Sequence, residues 1–334
     1  MNQDIAGLIR SVPRVSLLSG PTPLERAPRL SAELGVDLLL KRDDLTGIGA
    51  GGNKLRKLEF IVAAAQKEGA TALITTGGAQ SNHARLTAAV AARLGLKCYL
   101  RLKGVAPADV GNVLLDRLFG ADLDFWDEPN YDIVNQRMAA LAAELRKKGE
   151  HPVAVPLGGA TPEGTLGYAL AFAEIMQQAA ALGGVPDYIV LAAGTGSTQA
   201  GLLLGAKLSA ASTRIVGVSV SWAKDILAAE VTRHTLDGAK RLGVALTLKP
   251  DDVWIAEGYV GPGYAKPSPL GRAALTRTAQ REGVLLDSTY TAKGMSGAID
   301  LIEKGVIPRG SRMVFVHTGG TPELYTRAPE DLLG

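Results

Sequence analysis

Tyr188-Ile-Val-Leu-Ala-Ala-Gly-Thr-Gly-Ser-Thr198 carries the fold class of this chain. Tyr188–Ala192 is an apolar run of strand length, with no polar residue at alternate positions to face water. It enters a glycine-rich turn, Ala193 to Thr198, and then an apparent helix start at Gln199-Ala-Gly-Leu. A strand buried on both faces belongs to a parallel sheet covered by helices. The same reading repeats outward. Strands are predicted at Val36–Lys41, Ala72–Thr76, Lys97–Leu102, Val153–Val155, Arg214–Val220 and Met313–His317. Helical stretches lie between them, such as Asn53–Glu68, Asn82–Leu94, Tyr131–Lys148, Glu163–Leu182 and Thr198–Leu208. The chain reads as α/β, with open twisted, mostly parallel sheets flanked by helices.

Composition excludes several function classes. With 334 residues, about two domains are expected. Lys+Arg 36 against Asp+Glu 33 gives a net charge of +3, too near balance for a nucleic-acid-binding face. One cysteine rules out a disulfide framework, and four histidines without HxxxH or HxH spacing argue against a metal. No signal-peptide pattern opens the chain and no apolar run has membrane-spanning length, so a cytoplasmic protein is expected. The 40 glycines are clustered, at Gly51-Gly52, Gly77-Gly78, Gly158-Gly159, Gly194 and Gly196, and Gly319-Gly320. Ligands of open α/β sheets bind at the carboxyl ends of strands, so these clusters point to one shared crevice.

Gly194-Thr195-Gly196-Ser197-Thr198 directs backbone N–H groups, hydroxyls and a helix N-terminus at one point, which is chemistry for a phosphate. A dinucleotide fingerprint fails because Gln199 occupies the third glycine position. A triphosphate loop fails at Gly47–Gly52 because Asn53 replaces the required lysine. A phosphate monoester fits best. Lys54 follows Gly51-Gly52 and Asn53, a plausible cap, at a helix start near Lys41-Arg42. Those cations and the helix end should lower its pKa and make its amine nucleophilic. A lysine and a monophosphate cradle in one crevice suggest an aldehyde cofactor joined to Lys54, namely pyridoxal phosphate. Thr75-Thr-Gly-Gly-Ala-Gln80-Ser81-Asn82-His83 is another strand end and helix start, with Ser81 or Asn82 as cap and free N–H groups for a carboxylate.

At these residues the chain resembles the D-cysteine desulfhydrase/1-aminocyclopropane-1-carboxylate deaminase family, within the tryptophan-synthase-β-like pyridoxal phosphate enzymes of fold type II. The resemblance runs from Pro21-Thr-Pro-Leu-Glu25 and Lys41-Arg-Asp-Asp44 through Gly51-Gly-Asn-Lys-Leu-Arg-Lys-Leu-Glu59 and Gln80-Ser-Asn-His83. It continues through Gly194–Thr198, Pro262-Gly-Tyr264, Tyr290-Thr-Ala-Lys293 and His317-Thr-Gly-Gly-Thr321. It implies that Lys54 joins the cofactor, that Asn82 hydrogen-bonds its phenolic oxygen, and that Gly194, Thr195, Gly196, Ser197 and Thr198 hold its phosphate. Ser81, with the backbone from Gln80 to His83, would meet the substrate carboxylate. Tyr264 and Tyr290 would lie on either side of the substrate, and Thr318 at the pyridine nitrogen. The resemblance also implies a large domain of 1–52 plus 165–334, a smaller one of 53–164 with the cofactor between them, and a homodimer.

Within that family, ring-opening deaminases carry Glu where this chain has Thr291 and Leu where it has Thr318. A threonine hydroxyl can hydrogen-bond the pyridine nitrogen but cannot protonate it. The resemblance therefore favours β-elimination from D-cysteine, with Lys54 or Ser81 as base and Tyr264 or Tyr290 assisting the thiol. Alternatives are release of sulfite from L-cysteate or chloride from 3-chloro-D-alanine, then ring-opening deamination, then a silent cofactor- or amino-acid-binding protein. A sulfonate would want a cation, and Arg42, Arg85 and Lys266 are available. Lys57, His151 and His234 read as surface residues. Cys98, Trp126, Trp222 and Trp254 read as packing residues, with Trp222 also near enough to a strand end to touch substrate. His317 reads as a support for its strand.

Overall fold

The computed structural model describes residues 4–128 and 130–333. The described strands are β1 Leu24–Arg26, β2 Asp37–Arg42, β3 Ala72–Gly78, β4 Lys97–Lys103, β5 Asp122–Trp126, β6 Pro152–Ala154, β7 Tyr188–Ala193, β8 Arg214–Ser219, β9 Trp254–Ala256 and β10 Arg312–His317. They form a six-stranded sheet, β1-β2-β10-β7-β8-β9, and a four-stranded sheet, β5-β4-β3-β6. Among the described strands, only β1 runs antiparallel to its neighbour. All seven strands expected from the sequence are present, as are the five helices.

The period of two along each central strand explains the apolar runs. In β7, Ile189, Leu191 and Ala193 join one core and Val190 the opposite one. In β10, Val314 and Val316 face the first core, Met313 and Phe315 the second. In the smaller sheet, Leu73 and Ile74 divide in the same way. Helices cover both faces of each sheet, so the central strands are buried along most of their length and reach water chiefly at their starts, at Lys97 of β4 and Arg214 of β8.

The helix Lys54–Lys67 links the two sheets. Leu55, Leu58, Ile61, Val62 and Ala65 pack into the core of the smaller sheet, while Phe60 packs into that of the larger. Against it lies the helix Pro162–Ala181, so close that a Cβ on Gly167 would stand 2.2 Å from the Arg56 carbonyl oxygen. Lys54 is thereby carried at a helix start between the sheets.

Two surface assignments are corrected. His234 is buried, with Nε2 near Arg233 and Glu230, and burial lowers its pKa to about 4. Lys57 is buried as well; its helix faces protein on all sides at that turn, which a local view of a charged residue does not reveal. Among the described residues, no helix is long and apolar enough to cross a membrane, and no cluster of His, Cys, Asp or Glu could hold a metal ion.

Candidate active site

Five glycine-rich loops converge at the carboxyl ends of β3, β6, β7 and β10 and beside the start of the Lys54 helix. They enclose a cavity of about 250 Å³. Its walls include Lys54, Ser81, Asn82, His83, Gly194, Thr195, Gly196, Thr198, Tyr264, Tyr290 and Thr318. Gln80 and Ser197 do not line it. The Gln80 side chain turns away, donating to the Val110 carbonyl at 3.1 Å and accepting from Asn112 N at 2.7 Å. Ser197 is fully buried, its hydroxyl accepting a hydrogen bond from Lys57 Nζ at 2.6 Å.

Lys57, read from the sequence as a surface residue, lies directly beneath the cavity instead. Its amine also donates to the Gly158 carbonyl at 3.3 Å, so it lies beneath two of the converging loops. Burial, and then the charge of neighbouring Lys54, pushes its pKa well below the ordinary lysine value. Lys54 keeps some solvent contact through the cavity, but protein surrounds its amine. Burial lowers its pKa to about 8, and a hydrogen bond with the Lys57 amine acts in the opposite direction. The cations expected to depress it are engaged elsewhere: Lys41 with Glu174 and Gln178, Arg42 with Asp44 and Glu25. The lowered pKa was legible in the sequence; its cause was not.

Asn53 does not cap its helix with its side chain. Its Nδ2 donates to Thr198 Oγ1 at 3.1 Å, joining the Lys54 helix to the start of the helix Ser197–Leu208. Ser81 is the cap of the helix Asn82–Leu94, accepting from Ala84 N at 3.2 Å. A Cβ on Gly77 would stand 2.4 Å from Ser81 Oγ, so the turn closes only over glycine. Thr75 Oγ1 donates to the Val155 carbonyl and lies 2.9 Å from His83 Nε2, which therefore carries the proton. Burial lowers the His83 pKa well below its usual value, leaving a neutral ring.

Tyr264 and Tyr290 are not on opposite sides of the cavity. Their rings meet edge to face, 5.9 Å apart, and their hydroxyls are hydrogen-bonded at 2.5 Å. Desolvation of the paired hydroxyls raises the pKa of Tyr264 to about 12 and that of Tyr290 well above its ordinary value, so both hold their protons at neutral pH. Asp287 fixes Tyr290 by accepting from the backbone N–H groups of Thr289, Tyr290 and Thr291. Thr291 is buried against that carboxylate and does not reach the cavity, whereas Thr318 does. His317 supports the Thr318 loop, with Nε2 donating to the Leu285 carbonyl and Nδ1 accepting from Gly319 N. Trp222 lines the cavity, as do Lys103 and Tyr131, which the sequence reading did not select. Lys103 Nζ sits 5.1 Å from the Tyr131 ring centre.

This donor set fits pyridoxal phosphate. A lysine amine with its pKa lowered to about 8, a helix N-terminus whose first N–H groups have no acceptor in the helix, and a second amine beneath that turn are what an aldehyde and a phosphate monoester require. The family model of pyridoxal-phosphate dependent enzymes matches residues 15–319. A 1-aminocyclopropane-1-carboxylate deaminase of Methylobacterium nodulans is 39% identical over 332 residues, covering 95% of this chain and 97% of the relative. A D-cysteine desulfhydrase of Yersinia pestis is 40% identical over 325 residues, with 95% and 97% covered. The crystal structure of an ACC deaminase homologue matches with a TM-score of 0.91 at 36% identity, covering 100% of this chain and 99% of that one. Threonine deaminase isoform 2 of Solanum lycopersicum shares the fold, with a TM-score of 0.70 at 18% identity over 99% of this chain and 92% of that one. Matched nearly end to end by relatives of both names, the chain belongs to the pyridoxal-phosphate dependent enzymes, in the family of the D-cysteine desulfhydrases and 1-aminocyclopropane-1-carboxylate deaminases, and its cofactor is pyridoxal 5'-phosphate.

Proposed function

We propose that this enzyme is a carbon–sulfur lyase that converts D-cysteine and water to pyruvate, ammonia and hydrogen sulfide. The observation that carries the reading is Thr318 at the cavity, with no Asp or Glu among the lining residues. A hydroxyl is too weak an acid to protonate the pyridine nitrogen, so the bound cofactor supplies only a moderate electron sink. That suffices when the developing Cα charge is discharged by expelling a β substituent. It suits the unactivated carbon–carbon bond of a cyclopropane less well.

Lys54 is the favoured base for the Cα proton, because its amine has a pKa of about 8, while the Ser81 hydroxyl is engaged as a cap. As the Cβ–S bond breaks, its electron pair goes to sulfur, and a tyrosine hydroxyl supplies the proton. In the Tyr264–Tyr290 pair one hydroxyl donates to the other, so the acceptor keeps a proton free for sulfur. Gly194, Thr195, Gly196 and Thr198, with Ser197 through its backbone and Lys57 below, would hold the phosphate. Asn82 would donate to the phenolic oxygen, and Ser81 with the backbone from Gln80 to His83 would meet the substrate carboxylate. The same reading treats 53–164 as a separate domain, supported by the four-stranded sheet that lies within it.

A second reading, release of sulfite from L-cysteate, draws support from Lys103 in the cavity wall. Arg42 is paired, Arg85 is buried and Lys266 is exposed, and none of them lines the cavity. Purified enzyme is tested on both enantiomers of cysteine, cysteate and 3-chloroalanine and on 1-aminocyclopropane-1-carboxylate. Sulfide released fastest from D-cysteine is expected. Preferential formation of 2-oxobutanoate from the cyclopropane substrate, or of sulfite from cysteate, would replace this reading.

A further inference from the structure

Asn112 plays no part in the sequence reading, yet it occupies the centre of a buried hydrogen-bond network that ends at the cavity. It is fully buried in the first turn of the helix Gly111–Leu118. The direction of each bond follows from groups that can play only one role. The Arg85 guanidinium only donates, and its Nη1 lies 3.2 Å from Asn112 Oδ1. The Gln80 main-chain carbonyl only accepts, and Asn112 Nδ2 lies 2.8 Å from it. The Asn112 amide is therefore fixed end for end, oxygen toward Arg85 and nitrogen toward Gln80. Its second N–H reaches Asn82 Oδ1 at 3.0 Å. Asn82 must give its oxygen to Asn112, which leaves its own NH₂ group for the cavity it lines.

The anchors of this network are themselves held. Arg85 is fully buried and donates through Nη2 to the Gly51 carbonyl at 2.6 Å. The Gln80 side chain brackets the helix start, accepting from Asn112 N and donating to the Val110 carbonyl. A Cβ on Gly111, at φ +57°, would stand 2.6 Å from Gln80 Oε1, so that bracket closes only over glycine.

We propose that Asn112 is a positioning residue that locks Asn82 as a hydrogen-bond donor toward the phenolic oxygen of the cofactor. The proposal rests on the role given above to Asn82. An Asn82 free to turn over would offer the cavity either an N–H group or a carbonyl. Facing a phenolate oxygen, the first attracts and the second repels.

A double-mutant cycle read in cofactor affinity tests this, by titrating apoprotein with pyridoxal phosphate and following the visible band. Asn112→Asp preserves shape but replaces both N–H donors with an acceptor, so Asn82 should turn its nitrogen inward and its oxygen to the cavity. Asn112→Asp is expected to weaken cofactor binding about tenfold or more and to move the absorption maximum. In an Asn82→Ala background the same substitution should change neither. Equal weakening in both backgrounds, or none in either, overturns the proposal, because Asn112 would then act as scaffold alone or not at all. Thermal melting reports whether each variant folds, and Asn112→Ser replaces Asn112→Asp in the cycle if the latter does not. Native protein that forms no visible band with the cofactor would overturn the proposed function, and this role for Asn112 with it.

Discussion

A buried amine has two opposite consequences at Lys57. In the protein without cofactor it is a desolvated group with its pKa well below normal, which is a cost to folding. With a phosphate on the turn above it, the same amine gains an anion to face. Lys57→Met keeps the apolar stem and removes the amine with its bonds to Ser197 and Gly158. Melting of the apoprotein should be unchanged or higher, while cofactor titration should show binding weakened by about tenfold or more. A variant that lost stability in the apoprotein and kept full affinity would contradict this account. Lys54 makes a separate prediction through pH. With a pKa of about 8, about one amine in ten is neutral at pH 7, against about one in a few thousand for an ordinary lysine. Stopped-flow measurement of cofactor uptake by apoprotein should show a rate that rises about tenfold per pH unit toward pH 8 and then levels off. A rate still climbing in proportion above pH 9 would mean the amine is solvated like any surface lysine.

At the scale of elements, strands buried on both faces announced themselves in the sequence, and most of those at sheet edges did not. β1, β5 and β9 were missed, and all three are sheet edges with at most two consecutive buried residues. An edge strand has one neighbour and need not carry a continuous apolar run; the fourth edge, β6, was found because Val153-Ala-Val155 does carry one. The loops that end central strands were legible for a related reason: glycine is needed wherever two of them approach closely. The helix Gly111–Leu118 was not legible, because its function lies in the directions of hydrogen bonds. Asp116 on that helix is fully buried, with neither oxygen hydrogen-bonded among the described residues. Burial raises its pKa to about 8, with the Arg85 charge opposing the rise. Between its unfolded value near 4 and its folded value the native state holds a proton the unfolded chain has lost, so stability falls with rising pH across that window. Asp116→Asn mimics the neutral acid. Its melting temperature should match the native protein's near pH 4, exceed it increasingly toward pH 8, and keep a constant lead beyond. A lead that does not grow with pH would show Asp116 to be ionised in the folded protein.

For the molecule as a whole, the chemistry depends on one helix being held against two cores at once. Arg56, two residues after Lys54, is the polar tie that holds it. It is almost fully buried, donates through Nε and Nη2 to the Asp43 carboxylate at 2.9 Å, and reaches Glu174 on the helix Pro162–Ala181. Lys41, Thr22 and Tyr168 complete the cluster, so β2, the Lys54 helix and the helix of the larger sheet share one network. Burial alone would raise the Asp43 pKa; the Arg56 guanidinium, with the Lys41 charge and the Tyr168 hydroxyl, more than offsets it and keeps the carboxylate charged. Arg56→Met fills the volume but leaves that carboxylate buried without its partner, which typically costs about 3–5 kcal/mol. Thermal melting should therefore show a drop of several degrees or more. Because the same bonds tether the helix that carries Lys54, the residual folded protein should also bind cofactor more weakly. Adding Asp43→Asn should restore stability in part, since it removes the stranded charge, but should not restore affinity, since the tie to the helix is still absent. Recovery of both together would mean that Arg56 serves stability alone and that apolar packing is enough to aim the lysine.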